Sequence, residues 1–172
     1  KDGTAEIGSE MEKKYKEVRL VNQKNKGYGG AVKKGFKEAR YNWVFFSDGD
    51  LQFKLDELNK FVPHINDNDL IIGYRIKRAD GFKRKLIADM LKVWNKIFLN
   101  FPLFIKDIDC AFKLIKKDVL VSVGDLESDG AMMTTEFLLK AHKLGYKFKQ
   151  IGVNNYKRQF GEQTGSNPKV IL

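Results

Sequence analysis

The fold is decided by the stretch Trp43-Val44-Phe45-Phe46-Ser47-Asp48-Gly49-Asp50-Leu51-Gln52. Its first half is rich in aromatic and β-branched residues, which is typical of a buried strand. The strand then breaks into two carboxylates separated by a glycine. If the extended geometry persists, Asp48, Asp50 and Gln52 point to the same side, because side chains two residues apart share a face. The stretch therefore predicts a buried strand that ends in a group of oxygen-bearing side chains.

Two interpretations of this acidic end remain open from the residues themselves. Carboxylate and amide oxygens suit a hard cation such as Mg²⁺ or Mn²⁺, with Asp48, Asp50 and Gln52 as candidate ligands. Gly49 has no side chain and would let a phosphate approach the backbone closely. Alternatively, the segment is simply a polar turn after a strand, since Asp-Gly is a common turn pair.

The composition predicts one basic domain over residues 1–172. The formal net charge of +10 predicts affinity for anions, namely phosphates, nucleic acid or an acidic membrane surface. No segment approaches the roughly 20 apolar residues that span a bilayer. Cys110 stands alone, which excludes a disulfide framework and favours a reducing, cytosolic setting. Nucleic acid is not the expected partner, because no RNA-binding aromatic signature, zinc knuckle or basic zipper accompanies the charge.

Predicted helices and strands alternate along the chain, which favours an α/β fold with a mostly parallel sheet. Strands are predicted at Val18–Val21, Trp43–Ser47, Leu70–Tyr74 and Lys147–Val153, and after Asp109 towards Ile115. Helices are predicted from Thr4 through Tyr15, after residue 30, over Leu55–Val62, over Lys117–Val123, and from a cap at Thr134-Thr135 to Gly145.

A polar loop with several glycines, residues 22–30, leads into the second predicted helix. Backbone N–H groups at a helix N-terminus can bind an anion, which makes Gly27 a candidate phosphate contact. A flexible connector is the alternative, because the loop matches neither a P-loop nor a Rossmann fingerprint.

Residues 82–105 form a broad apolar stripe on a basic helical pattern. Such a stripe usually packs on the core. The alternative is an amphipathic surface that meets a membrane or a lipid substrate.

Six motifs, in this order, resemble those of family-2 glycosyltransferases of the dolichyl-phosphate-sugar synthase type. They are NKGYGGA at 25–31, SDGDLQF at 47–53, GYR at 73–75, DIDCAFKL at 107–114, TE at 135–136 and RQFGEQTG at 158–165. The resemblance covers nearly the whole chain. It implies a GT-A fold, which is a three-layer α/β sandwich with a mostly parallel sheet. It also implies a nucleotide-diphosphate-sugar donor, a divalent metal, and transfer to a polyprenyl phosphate with inversion at the anomeric carbon.

The resemblance also implies roles for residues on the donor side. Asp48 and Asp50 would be the family's acidic pair, with Asp50 and Gln52 nearest the metal and the diphosphate. Arg75 would face the substrate phosphates. A metal there could neutralise the charge that accumulates on a departing nucleoside diphosphate.

On the acceptor side, Arg158 would bind the acceptor phosphate, helped by Arg84. A phosphate is already an anionic nucleophile, whereas a sugar hydroxyl would need a carboxylate base within hydrogen-bond reach. Asp107, Asp109 and Glu136 are the candidates for that base or for orienting a substrate. The alternative for Glu136 is a charge in the first turn of its helix, where the helix dipole favours an acid.

Residues 1–4 (KDGT) resemble the end of an element that follows the family's first strands. Those strands normally hold the nucleotide base and ribose. The expectation is therefore a GT-A domain that is incomplete at its N-terminus.

Two further functions remain as alternatives. One is a basic module that binds nucleic acid or an anionic membrane and whose acidic pair is structural. The other is a nucleotidyltransferase, which also needs a carboxylate pair, a metal and basic phosphate clamps. The order of the motifs favours the glycosyltransferase, and the alternatives explain only the charge. The expected setting is the cytoplasm, with a peripheral position on the cytoplasmic membrane face as a further option.

Overall fold

The computed structural model describes residues 3–76, 102, 104–130 and 132–158. Its elements in chain order are helix α1 (Thr4–Lys14), helix α2 (Gly27–Glu38), strand β1 (Trp43–Ser47), two 3₁₀ segments (Leu55–Lys60 and Val62–His64), strand β2 (Leu70–Arg75), strand β3 (Phe112–Lys116), helix α3 (Lys117–Val123), helix α4 (Met132–Lys143) and strand β4 (Phe148–Val153). The predicted bounds of β1 and α3 are confirmed to the residue, but β1 is half-buried along its length and not buried as predicted, because it lies at an edge of the described sheet.

The four described strands form one sheet in the order β1-β3-β2-β4. Strand β3 is antiparallel to β1 and β2, and β2 is parallel to β4. It follows that β1, β2 and β4 share one direction and that β3 is reversed. The prediction of a mostly parallel sheet therefore holds for strand direction in this part of the chain. Two of the three pairings are nevertheless antiparallel, because the reversed strand lies in the interior of the sheet.

The core forms two layers, one on each face of this sheet. Successive residues of β2 alternate between the layers, because side chains of a strand alternate between faces. The layer that includes helices α3 and α4 contains Leu70, Ile72, Ile115, Val119, Phe137 and Leu138. The layer that includes the 3₁₀ segments contains Phe61, Ile71, Cys110, Phe112, Leu114 and Val153. Each such side chain, when fully buried, contributes about 1.5–3 kcal/mol to folding, so the sheet is anchored from both faces.

Several predicted elements differ from the structure. Val18–Val21 has no regular secondary structure, and no described strand pairs with it. Its two valines remain 39% and 37% exposed, so the segment lacks the packing that would hold it as a strand. The helix predicted over Leu55–Val62 is a pair of short 3₁₀ segments with Pro63 in the second.

Two helix starts also differ. Helix α2 begins at Gly27, inside the predicted loop, because Gly27 adopts a left-handed φ of 74° and lets the chain turn into the helix there. Helix α4 begins at Met132, so Thr134 and Thr135 lie within its first turn and do not cap it.

In the described residues, no helix is both long enough and apolar enough to cross a membrane. The basic apolar stripe predicted over 82–105 lies almost entirely outside the described residues.

Helix α2 is fastened to the loop between α3 and α4. The N–H of Gly29 donates to the carbonyl oxygen of Asp129 at 2.9 Å, and Lys33 Nζ donates to the carbonyl oxygen of Leu126 at 3.1 Å. Lys37 adds an ion pair with Asp125 at 2.7 Å. The close approach requires a glycine, because a Cβ at Gly29 would lie 2.4 Å from the Asp129 oxygen.

We expect Gly29→Ala to lower the free energy of unfolding by about 1–3 kcal/mol, the usual cost of overpacking. Urea denaturation measures it. The matched control is Gly35→Ala in the same helix, where an added Cβ would meet nothing within 4 Å. That variant should be stabilised by about 0.5–1 kcal/mol, because alanine is the better helix former. Equal effects of the two substitutions would contradict the packing argument.

Candidate active site

One edge of the sheet collects the candidate site residues. The carboxyl ends of β1, β2 and β4 meet there, together with the amino end of the reversed strand β3, where Ser47 is opposite Phe112. Ligands of open α/β sheets bind outside the carboxyl ends of the strands. The sequence-predicted residues after β1, at the end of β2, before β3 and after β4 therefore converge.

Two loops are joined at this edge by paired hydrogen bonds. Gln52 Nε2 donates to the carbonyl oxygen of Tyr156 at 3.0 Å, and the N–H of Tyr156 donates to the carbonyl oxygen of Gln52 at 2.9 Å. Beside them, Arg158 Nη2 donates to Asp50 Oδ2 at 2.8 Å. The predicted donor and acceptor segments are thus in direct contact.

The acidic loop is a turn and not a continued strand. Strand β1 ends at Ser47, Asp50 Oδ1 accepts the N–H of Gln52 at 3.1 Å, and Leu51 adopts a left-handed φ of 60°. Of the two geometries left open by the sequence, the structure therefore has the turn and not the extended continuation past residue 47, because the Asp50 side chain bonds its own backbone two residues on. Even so, Asp50 and Gln52 both reach the segment that follows β4.

The charges of the two carboxylates in the loop are offset differently: Asp50 forms an ion pair with Arg158, whereas Asp48 has a raised pKa. Partial burial raises the pKa of the Asp48 carboxyl, the charge of Asp50 raises it further, and the positive charges of Lys113 and Arg158 oppose the shift. Ionising Asp48 therefore carries a cost that an added cation would remove. This is the electrostatic condition that favours a divalent ion.

Arg75 and Asp107 form a bidentate ion pair. Arg75 Nε donates to Asp107 Oδ2 at 2.8 Å and Nη2 donates to Oδ1 at 2.9 Å. The Arg75 N–H also donates to Oδ2 at 3.2 Å. Burial alone would lower the pKa of Arg75, but Asp107 raises it above its ordinary value. Asp107 is therefore committed to this arginine, which argues against the predicted role as a base. The contact of Arg75 with substrate phosphates stays a prediction.

Lys113 is a buried cation that the sequence analysis did not single out. It lies on β3 opposite Phe46 and Ile72, is 2% exposed, and donates from Nζ to the carbonyl oxygens of Ile108, at 3.0 Å, and of Cys110. Burial lowers its pKa, and the acids around it oppose that shift. The lysine holds the loop before β3 from inside the protein.

Tyr28 is the second missed residue. It borders, with Asp48, Gly49 and Phe46, a groove of about 370 Å³ that runs from α2 to the acidic loop. Burial and then the charge of Asp48 raise the pKa of its hydroxyl to about 12, and a hydrogen bond with Thr134 opposes the rise. The phenol can donate a hydrogen bond at this edge at neutral pH, as an ordinary tyrosine also can.

The structure bears differently on the two glycines that were predicted to contact phosphate. The N–H of Gly27 donates to Asn25 Oδ1 at 2.9 Å, so this group is already occupied and does not support the predicted phosphate contact. Gly49 is exposed in the acidic loop, and its predicted approach to a phosphate stays a prediction. Asp109 is also exposed at the edge, and its role stays a prediction. Arg84 lies outside the described residues.

Glu136 holds the loop between α3 and α4. Its carboxylate accepts the N–H groups of Glu127 at 3.0 Å and Ser128 at 2.9 Å and pairs with Lys140 at 2.7 Å. Burial would raise its pKa, but these hydrogen bonds lower it to about 2. So acidic a group is a poor general base. The structure thus argues against the predicted catalytic role and supports a structural one.

The described side chains at the acidic edge supply only some of the ligands that a cation needs. Among the described residues, no three side chains of His, Cys, Asp or Glu are grouped as a metal site. Asp48 and Asp50 supply two carboxylates, with the Gln52 amide beside them, and Asp48 lacks full charge compensation. These residues fit a hard cation that completes its oxygen ligands from a bound substrate.

The fold is that of the GT-A glycosyltransferases. The chain superposes on mannosyl-3-phosphoglycerate synthase from Rubrobacter xylanophilus with a TM-score of 0.63 and 13% identity, covering 95% of this chain and 54% of that one. It superposes on glucosyl-3-phosphoglycerate synthase from Mycobacterium tuberculosis, crystallised with Mn²⁺ and UDP, with a TM-score of 0.62 and 11% identity, covering 83% and 50%. At such identities the likeness concerns the fold.

The chain belongs to glycosyl transferase family 2, whose model matches residues 1–123. It is 32% identical over 145 residues to the dolichol-phosphate mannosyltransferase of Pyrococcus furiosus, covering 81% of this chain and 41% of that protein. It is 30% identical over 129 residues to a dolichyl-phosphate β-glucosyltransferase of Trichomonas vaginalis, covering 69% and 38%. An uncharacterised protein of Methanocaldococcus jannaschii is 29% identical, covering 70% and 58%. The chain spans about half the length of these curated relatives.

We expect Glu136→Gln to lower the free energy of unfolding at pH 7 by about 1–3 kcal/mol, because two backbone N–H groups and Lys140 lose their carboxylate partner. Folding lowers the pKa of Glu136 from 4.5 to about 2. The stabilisation is therefore fully present above the unfolded pKa and is lost as the pH falls through the folded pKa. Urea denaturation between pH 7 and pH 2 should show the difference between wild type and variant shrinking below about pH 4.5.

The control is Glu127→Gln, which removes the same charge from an exposed residue. It should change stability little at any pH. A difference between wild type and Glu136→Gln that stays constant over this range would contradict the assigned role of the carboxylate.

Proposed function

We propose that the protein transfers a sugar from a GDP- or UDP-sugar to a polyprenyl or dolichyl phosphate, with inversion at the anomeric carbon and with a divalent metal. The observation that carries the proposal is the contact between Asp50 and Arg158 at 2.8 Å. It joins a candidate diphosphate-and-metal segment to a candidate acceptor-phosphate segment in a family-2 glycosyltransferase. The names of two relatives, both dolichyl-phosphate sugar transferases, support the same acceptor.

The acidic loop is proposed to bind the donor diphosphate. Asp48, Asp50 and the Gln52 amide would hold Mg²⁺ or Mn²⁺, with the diphosphate oxygens completing the ligand set. When bound, the cation would neutralise charge on the departing nucleoside diphosphate. The raised pKa of Asp48 supports this, since desolvation and the neighbouring charge of Asp50 make its ionised form costly, and a bound cation would offset that cost.

The acceptor is proposed to be a phosphate and not a sugar hydroxyl. Of the three carboxylates considered as a base, Asp107 is bound by Arg75 and Glu136 is bound by two N–H groups and Lys140, which leaves the exposed Asp109 as the remaining candidate. A phosphate monoester is already a nucleophile at neutral pH and needs no such base. The net charge of +10 also favours an anionic acceptor.

In the proposed reaction, a phosphate oxygen of the acceptor attacks the anomeric carbon from the side opposite the diphosphate. One carbon–oxygen bond forms as the bond to the diphosphate breaks, and the electron pair leaves with the nucleoside diphosphate. Arg158 would bind the acceptor phosphate, because a guanidinium grips phosphate through two parallel hydrogen bonds and stays charged. Arg84 is proposed to assist. A polyprenyl acceptor would bring the protein to a membrane surface, and the cytoplasmic face is the proposed side.

The test is a panel of sugar nucleotides incubated with the protein, a polyprenyl phosphate and Mn²⁺, with release of nucleoside diphosphate as the readout. We expect Asp50→Asn to lower metal-dependent release by about 100-fold or more, because charge stabilisation of the leaving group is lost. The circular dichroism spectrum should stay that of the wild type. The control, Asp67→Asn, changes an exposed acid ahead of the amino end of β2 and should retain activity.

Full activity of Asp50→Asn would refute the metal assignment. A preference for a sugar hydroxyl over polyprenyl phosphate, abolished by Asp109→Asn, would instead assign the protein to hydroxyl acceptors.

A further inference from the structure

We propose that Arg158 alternates between two partners, Asp50 and the acceptor phosphate, and that a divalent cation at Asp50 releases it to the phosphate. The inference rests on the proposed function and adds a coupling between its two halves. Its starting point is the ion pair between Arg158 Nη2 and Asp50 Oδ2 at 2.8 Å.

The cation and the arginine compete for the same carboxylate. Asp50 Oδ1 accepts the N–H of Gln52 at 3.1 Å, and Oδ2 accepts Arg158, so both oxygens have a donor. A hard cation takes carboxylate oxygens at about 2.0–2.6 Å. A guanidinium and a divalent ion on one oxygen would repel each other strongly. A cation that binds Oδ2 therefore displaces Arg158 from that oxygen.

The environment makes the exchange energetically significant and still accessible. The side chains of Arg158 and Asp50 are 28% and 17% exposed. A partly buried ion pair is screened less than a surface pair, so Arg158 competes measurably with a cation for the Asp50 carboxylate. By contrast, the pair of Arg75 and Asp107 is 13% and 4% exposed and bidentate, which suits a permanent contact.

The exchange does not require the loops to separate. Gln52 and Tyr156 hold the two segments together through two hydrogen bonds of 3.0 and 2.9 Å that do not involve Arg158. Arg158 can therefore change partner by a rotation of its side chain. Its guanidinium then lies at the same edge, next to where the acceptor phosphate would bind.

The consequence is cooperative binding of the cation and the acceptor phosphate. A cation at Asp50 and an anion at Arg158 both favour the state in which the pair is broken, so each strengthens the binding of the other. The cation, arriving with the donor diphosphate, prepares the arginine for the acceptor. Without the cation, the arginine is withheld from phosphates.

The experiment is a titration of Mn²⁺ followed by electron paramagnetic resonance, without nucleotide, so that the metal itself is the probe. We expect Arg158→Gln to bind Mn²⁺ about threefold to tenfold more tightly than the wild type, since a partly buried competitor is removed. Arg158→Lys keeps the charge but not the planar fork and should fall between them. It also serves if the glutamine variant fails to fold.

The matched control is Lys157→Gln, which removes an equal charge from the adjacent exposed residue. General screening should limit its effect to less than about twofold. Equal Mn²⁺ affinities of wild type, Arg158→Gln and Lys157→Gln, or weaker binding by Arg158→Gln, would overturn the inference.

Asp50→Asn separates this failure from failure of the proposed function. If Asp50→Asn abolishes Mn²⁺ binding while Arg158→Gln equals the wild type, the metal site stands and the exchange does not. If neither the wild type nor Arg158→Gln binds Mn²⁺ even after GDP or UDP is added to complete the oxygen ligands, the metal assignment and the exchange fall together.

Discussion

The direction of strand β3 is the constraint on which the rest of the site depends. Because β3 is reversed between β1 and β2, its amino end lies where the other three strands end. Four chain segments that are distant in sequence therefore share one edge, and they carry both acids and bases. Their mutual charges then decide which side chains remain available to a ligand.

The charged side chains at this edge differ in how deeply they are buried. Lys113 and the Arg75–Asp107 pair are the most buried, where breaking an ion pair is costly, and they fix the loop before β3. The Asp50–Arg158 pair lies nearer to solvent, where exchange of partners costs less. A rigid inner layer of charge thus supports an outer layer that can respond to ligands.

The sequence pattern predicted those features that depend on residues close together in the chain. The apolar run of β1, the helix over Lys117–Val123 and the family membership could all be inferred from the sequence. The turn at Asp50 remained one of two alternatives, because the Asp-Gly pair favours a turn while a period of two residues does not reveal where the strand stops. The anchoring role of Glu136 depends on a loop eight and nine residues away. Lys113 could have been found, since its face-sharing neighbour Ile115 is apolar and places position 113 inside the protein.

The paired hydrogen bonds between Gln52 and Tyr156 have a consequence for how the site comes into being. Their partners are 104 residues apart, and Asp50 and Arg158 are 108 apart. Closing so long a segment is entropically unfavourable until the intervening sheet has formed. A chain still emerging from the ribosome before residue 158 would carry the acidic loop without its arginine. The contact between the acidic loop and Arg158 can therefore form only after β4 has been synthesised and the sheet has folded.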